Sequence, residues 1–226
     1  MLAELATFLG DAFPEAERRW YSQALSAARA VPGSERALAV AFAGAGRRSR
    51  MLGGATVVEA GRRLAAAGGA SADCWKAPDL VRSSLLLAAA RSCPGDPLPP
   101  LVEGLFVRGD NAERIAILMS LALLPDPARF ADLAVEACRT NVQDVFEALA
   151  CENPYPGLYL NEACFNQMVL KAVFVGVELG RINGLGKRRN RELARMAGAY
   201  ASERRRAGRS VPGDIGLITQ PAEEDR

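Results

Sequence analysis

The stretch Asn161–Val175, NEACFNQMVLKAVFV, decides the fold class. Its apolar residues recur at three- and four-residue spacing and reach almost all the way round a helical wheel, the mark of a helix buried on most sides. Asn161 stands where a side chain would take one of the first free N–H groups, so the spacing predicts a helix from there through Val175. Asn166, Gln167 and Lys171 interrupt the apolar surface. Burying them unpaired is costly, so each must find an internal partner or face a polar cavity. Gln167 and Lys171, four residues apart, share one face.

The same period runs through most of the chain, and no stretch alternates as a half-buried strand would, so the fold class is all-α. Pro14 opens a helix to about Val31, Ser34 is placed to cap the next toward Gly44, and a weaker one covers Thr56–Ala67. Pro78 suits the first turn of a helix carrying Leu85, Leu86 and Leu87, which the proline-rich Cys93–Pro100 segment interrupts before Leu101–Val107 resumes. Asp110 and Glu113 have capping-box spacing ahead of the apolar run Ile115–Leu124, which Pro125 stops. Pro127 opens a helix to about Cys138, Asn141 is placed to cap one through Ala150, and a long one runs from near Asn190 to Gly208. Short helices joined by proline turns imply stacked α-hairpins, as a HEAT-like or irregular helical solenoid or bundle, although no repeat period is present.

The 226 residues, half of them hydrophobic, fit one extended domain over 1–226 with a frayed acidic tail at about 221–226. A formal net charge of +2 lacks the positive field of a dedicated nucleic-acid binder. Basic clusters at Arg47–Arg50, Lys187–Arg191 and Arg204–Arg206 have few aromatic residues among them to stack bases, and read as solvated helix faces. The amino terminus has no basic, apolar leader, and Ile115–Leu124 is about half the ~20 residues a membrane span needs. The expected location is therefore cytoplasmic. Cys74, Cys93, Cys138, Cys151 and Cys164 lack zinc-site spacing and read as reduced core thiols, so no metal site is expected.

The chain has no histidine. Catalytic triads that use imidazole as base, histidine zinc sites and the paired-histidine metalloprotease helix are excluded. Asp144 and Glu147, with Glu152 nearby, form a possible carboxylate pair but read as a solvated face. Gly184, Leu185, Gly186 and Lys187 fail as a phosphate loop, because Arg181 and Arg188 occupy the positions of its first glycine and its hydroxyl residue. The Asn153-Pro154-Tyr155-Pro156 turn is stiff and carries one aromatic hydroxyl, and Arg139, Thr140 and Asn141 make a polar corner at a helix junction.

RTN at Arg139–Asn141, FEALA at Phe146–Ala150, NPYP at Asn153–Pro156, NQMVLKAVF at Asn166–Phe174, ELARM at Glu192–Met196 and AGRSVP at Ala207–Pro212 together resemble the EboA family. Trp75, Asp79, Arg82 and the following leucines, then Glu113–Pro125, fit its looser amino-terminal half, so the resemblance spans about Trp20–Leu217. Phe165 departs from it, since tryptophan is expected before NQM. The resemblance implies traffic of a secondary metabolite or its precursor toward the cell envelope, without catalysis and without a cofactor. Its partners would be the small molecule and proteins of the same gene cluster, through which the protein would associate with the inner face of the membrane. The expected ligand site is a polar pocket of Asn153, Tyr155, Asn166, Gln167 and Lys171, with Arg139 and Asn141 at its edge. Two other readings stay open: an enzyme using Lys171 or Tyr155 as acid/base, and a helical scaffold.

Overall fold

The computed structural model describes residues 2–219, with side chains from Glu4; the acidic tail expected at 221–226 lies outside the described residues. The described residues hold fourteen α-helices and short 3-10 turns joined by loops, with no strand among them. Compactness divides the chain into two units, 1–133 and 134–226.

The first unit holds α1 (Leu2–Ala12), α2 (Glu15–Arg29), α3 (Glu35–Arg48), α4 (Gly54–Ala66), α5 (Ala77–Ser92), α6 (Leu98–Arg108), α7 (Asn111–Ser120) and the start of α8 (Ala131–Cys138). Helix α5 is its axis: α1, α2, α3, α4 and α7 all pack on it, and Leu80, Val81, Leu85 and Leu86 are wholly buried. A solenoid lets each repeat touch only its neighbours, so this is the irregular bundle among the expected architectures. The capping box forms as its spacing predicts, with Glu113 N–H donating to Asp110 Oδ1 at 2.8 Å and Asp110 N–H to Glu113 Oε2 at 3.0 Å. Ser34 holds the N-cap position of α3 without capping it, because its hydroxyl donates instead to Ala27 O at 2.6 Å. The Cys93–Pro100 interruption is shorter than expected, since Pro99 and Pro100 sit in the first turn of α6, where a missing N–H costs nothing.

The second unit continues from α8 with α9 (Gln143–Ala150), α10 (Tyr155–Tyr159), α11 (Glu162–Val175), α12 (Leu185–Arg188), α13 (Arg191–Arg206) and α14 (Gly216–Thr219). Asn161 Oδ1 caps α11 through Cys164 N–H, and Gly176 ends it in the left-handed conformation, φ 79°, that a side chain would strain. Asn190 Oδ1 caps α13 through Leu193 N–H in the same way. Helix α11 packs against α9 and α13 and buries Phe165, Met168, Val169, Ala172 and Val173, whereas Ala163, Phe174 and Val175 are exposed, so the helix is less enclosed than its apolar surface predicts. The turn before α9 departs from expectation: its N-cap is Val142, whose N–H donates to Thr140 Oγ1 at 3.2 Å, so the threonine closes the corner and Asn141 is left exposed. Among the described residues no helix is long and apolar enough to cross a membrane.

Candidate functional site

Cys164, Gln167, Met168 and Lys171 recur on α11 at helical spacing and so form one stripe. Val135, Cys138 and Arg139, from the last turn of α8 and the residue after it, face that stripe. Between them lies an open cleft of about 210 Å³. Its apolar wall is Val135, Met168 and the two thiols; its polar wall is Arg139, Gln167 and Lys171. Burial pushes the Cys138 thiol up to about 12, more than the nearby Lys171 ammonium draws it down. It therefore stays protonated at neutral pH and serves the cleft as wall, not as a nucleophile.

Lys171 is partly committed. Its Nζ donates to Cys138 O at 2.6 Å and to Thr140 O at 2.5 Å, and lies 5.0 Å from the centre of the Phe146 ring. Cys138 O is the last carbonyl of α8, where the helix leaves acceptors without internal partners and the dipole favours a cation, and Thr140 O lies two residues beyond it. Lysine thereby closes a helix terminus from another helix and retains one N–H donor. Gln167 is exposed and its amide makes no hydrogen bond among the described residues. The Arg139 guanidinium, also exposed, donates to Glu136 at 2.8 Å.

The other expected pocket residues lie elsewhere. Asn166 is buried and exchanges hydrogen bonds with the side-chain amide of Asn190, at 3.2 and 3.0 Å, which ties α11 to the cap of α13. Asn153 is wholly buried: its Nδ2 donates to Ala148 O at 2.9 Å and its Oδ1 accepts from Tyr155 N–H at 3.0 Å. Tyr155 begins the short helix α10, fully buried, with its ring 5.0 Å from that of Tyr159. The NPYP segment thus turns its tyrosine inward. Tyr155, Asn153, Asn166 and exposed Asn141 do not line the cleft that Arg139, Gln167 and Lys171 share.

A family model described as metabolite traffic protein EboA matches residues 4–219. The chain belongs to the EboA family. No curated protein and no solved structure matches it. Membership places the protein in metabolite traffic, and the match reaches beyond the Trp20–Leu217 span of the recognised motifs.

Two arginines hold this EboA protein's second unit together in ways that periodicity does not reveal. Arg181 pairs in bidentate fashion with Glu152, at 2.8 and 3.0 Å, and donates to Glu147 at 2.6 Å. Glu152 N–H also donates to Arg181 O at 2.8 Å beside the antiparallel bridge Cys151–Ile182. Glu147 and Glu152 are therefore an anchor for Arg181 and not a solvated face. Arg188 donates to Gly157 O and Leu160 O at the end of α10 and lies 4.5 Å from the centre of the Phe165 ring. The segment that fails as a phosphate loop has a packing role: a Cβ on Gly157 would meet Asn183 O at 2.9 Å, and one on Gly184 would meet Gly157 Cα at 3.5 Å. The available signal was charge, since Arg181 and Arg188 sit in a basic segment while Glu147 and Glu152 precede it.

The arginine tie is pH-sensitive. The hydrogen bond from Arg181, and behind it one from Gln143, hold the Glu147 carboxyl below its usual 4.5. Its stabilisation is complete above 4.5 and is lost as pH falls through the folded-state value. Glu147→Gln is expected to lower stability at neutral pH and to flatten the loss between about pH 5 and pH 3. Urea titrations across that range check it; parallel curves for variant and parent would assign the acid sensitivity to other groups.

Proposed function

We propose that this EboA protein carries a small metabolite, or the polar end of a longer one, in the cleft between α8 and α11. The observation that supports this is the juxtaposition of an uncommitted Gln167 amide, the spare N–H of Lys171 and the Arg139 guanidinium with an apolar wall of Val135 and Met168. Those donors suit a carboxylate, carbonyl or phosphate oxygen, and Gln167 also offers an acceptor. Sites for drug-sized ligands are about 300–1,000 Å³, so a cleft of about 210 Å³ suits a headgroup or a compact acid. Capture by hydrogen bonds with one open side, and no group poised to react, is carrier chemistry. The acid/base reading loses its support because Tyr155 is buried away from the cleft and Lys171 is held by two carbonyls.

Native mass spectrometry on protein purified from its own host tests this. The parent is expected to retain a small molecule that Gln167→Leu loses, with a change in stability within about 0.5 kcal/mol because the amide is exposed and unpaired. Retention of the same species at the same occupancy by Gln167→Leu and Arg139→Ser would move the ligand to another site. Capture of a partner protein with no small molecule bound would favour the scaffold.

A further inference from the structure

The segment Arg181–Arg209 carries ten arginines and lysines against Glu192 and Glu203, a net of +8 in a chain whose formal charge is +2. Two of these cations are turned inward, Arg181 to its carboxylates and Arg188 to carbonyls and the Phe165 ring. Lys187, Arg191, Arg195, Arg205, Arg206 and Arg209 are exposed. Along α13 the arginines 191, 195, 205 and 206 fall on one exposed face, turned away from the buried Leu193 and Ala197. Glu192 neutralises Arg195, at 2.5 and 2.8 Å, which leaves Glu203 as the other acid of this helix. Gly198, Ala199 and Ser202 lie between the two arginine ends, so no large side chain holds a flat partner away.

Exposed apolar groups lie beside the start of this basic segment. Arg189 Nη1 donates to Leu217 O at 3.4 Å, and α14, which carries Leu217, packs on α13. Leu217, 46% exposed, lines a cleft with Val173 and Val177 and with two acids, Glu178 and Asp214, the latter engaged by Leu179 N–H at 2.7 Å, and the same end of α11 exposes Phe174 at 74%. We propose that the second unit docks directly on an anionic lipid surface, with the α13 arginines and Arg209 against headgroups and Leu217 and Phe174 at the acyl boundary. Basic charge beside exposed apolar side chains is the chemistry of interfacial binding. A nucleic acid would use the charge but not Phe174 or Leu217. The basic segment holds one aromatic residue, Tyr200, half-buried beneath Arg204, so it offers no platform for stacked bases. The α13 face and the α8–α11 cleft share no residue, so docking stands or falls independently of cargo binding.

Co-sedimentation of the full chain with vesicles tests it. Binding is expected with phosphatidylcholine containing about 30% phosphatidylserine and not with phosphatidylcholine alone, and is expected to weaken at least tenfold between about 50 and 200 mM salt. Arg205→Ser/Arg206→Ser/Arg209→Ser should reduce partitioning at least about tenfold. Phe174→Ser should reduce it while leaving the salt dependence unchanged, and Arg36→Ser, exposed on the first unit, should leave it at the parent level. Circular dichroism checks that each variant is folded. Equal binding to both vesicle types, or a triple variant that binds like the parent, overturns the proposal. Preference for duplex DNA over phosphatidylserine vesicles at equal salt, lost in the triple variant, overturns it in favour of nucleic acid.

Discussion

Tyr155→Ala is expected to destabilise the protein by about 3–5 kcal/mol, the cost of emptying a large aromatic site in a close-packed core. The ring is wholly buried, it packs on Tyr159, and its own N–H is held by the side chain of Asn153, itself wholly buried. Collapse of the site is restricted, because Pro154 and Pro156 limit the backbone on either side and Asn153 is bonded to Ala148 O. Urea denaturation measures the loss. Tyr155→Phe keeps the packing and separates the ring's contribution from that of the hydroxyl. A drop below about 1 kcal/mol for the alanine variant would mean that the site is not packed as described.

Lys171→Met is expected to cost about 1–3 kcal/mol, because methionine follows the lysine stem but leaves the carbonyls of Cys138 and Thr140 without their donor. The adjacent Gln167→Leu should be nearly neutral. The pair separates two roles on one stripe of α11: Lys171 holds the end of α8 and thereby shapes the cleft, whereas Gln167 only faces it. Denaturation of both variants, combined with retention of the bound molecule, distinguishes them. Equal destabilisation by the two substitutions would show that Gln167 has an internal partner, and a neutral Lys171→Met would show that water replaces the ammonium at the carbonyls.

Both expectations correct a reading in which Asn153, Tyr155, Asn166, Gln167 and Lys171 converge on one cavity. The premise held for three of them: a polar group on an enclosed helix or turn needs a partner. Asn166 finds Asn190, Lys171 finds the end of α8, and Asn153 finds Ala148 and Tyr155. Gln167 needs none, because it lies on the exposed part of the stripe. Periodicity states that a residue is polar on an apolar helix. It does not state which neighbour meets it, and those neighbours lie 2 to 33 residues away.

The sequence by itself determined what depends on local rules. The all-α class follows from the 3.6-residue period, and the caps of α7, α11 and α13 follow from Asp110 with Glu113, Asn161 and Asn190, because a cap acts within four residues. The absence of histidine determined the exclusion of imidazole chemistry, and ordered motifs from Arg139 to Pro212 determined the family. Tertiary structure alone decided how distant charges pair. Arg181 meets Glu147 and Glu152 from 34 and 29 residues away, and no local spacing encodes that distance. It also decided that α5 is an axis for α1 through α4 and α7, since α5 buries Asp79, Arg82, Ser83 and Ser84 together with its leucines and local spacing does not say which neighbours enclose them. The cleft is likewise tertiary: α11 supplies a stripe at helical spacing, and it becomes a site only where packing brings the last turn of α8 opposite it.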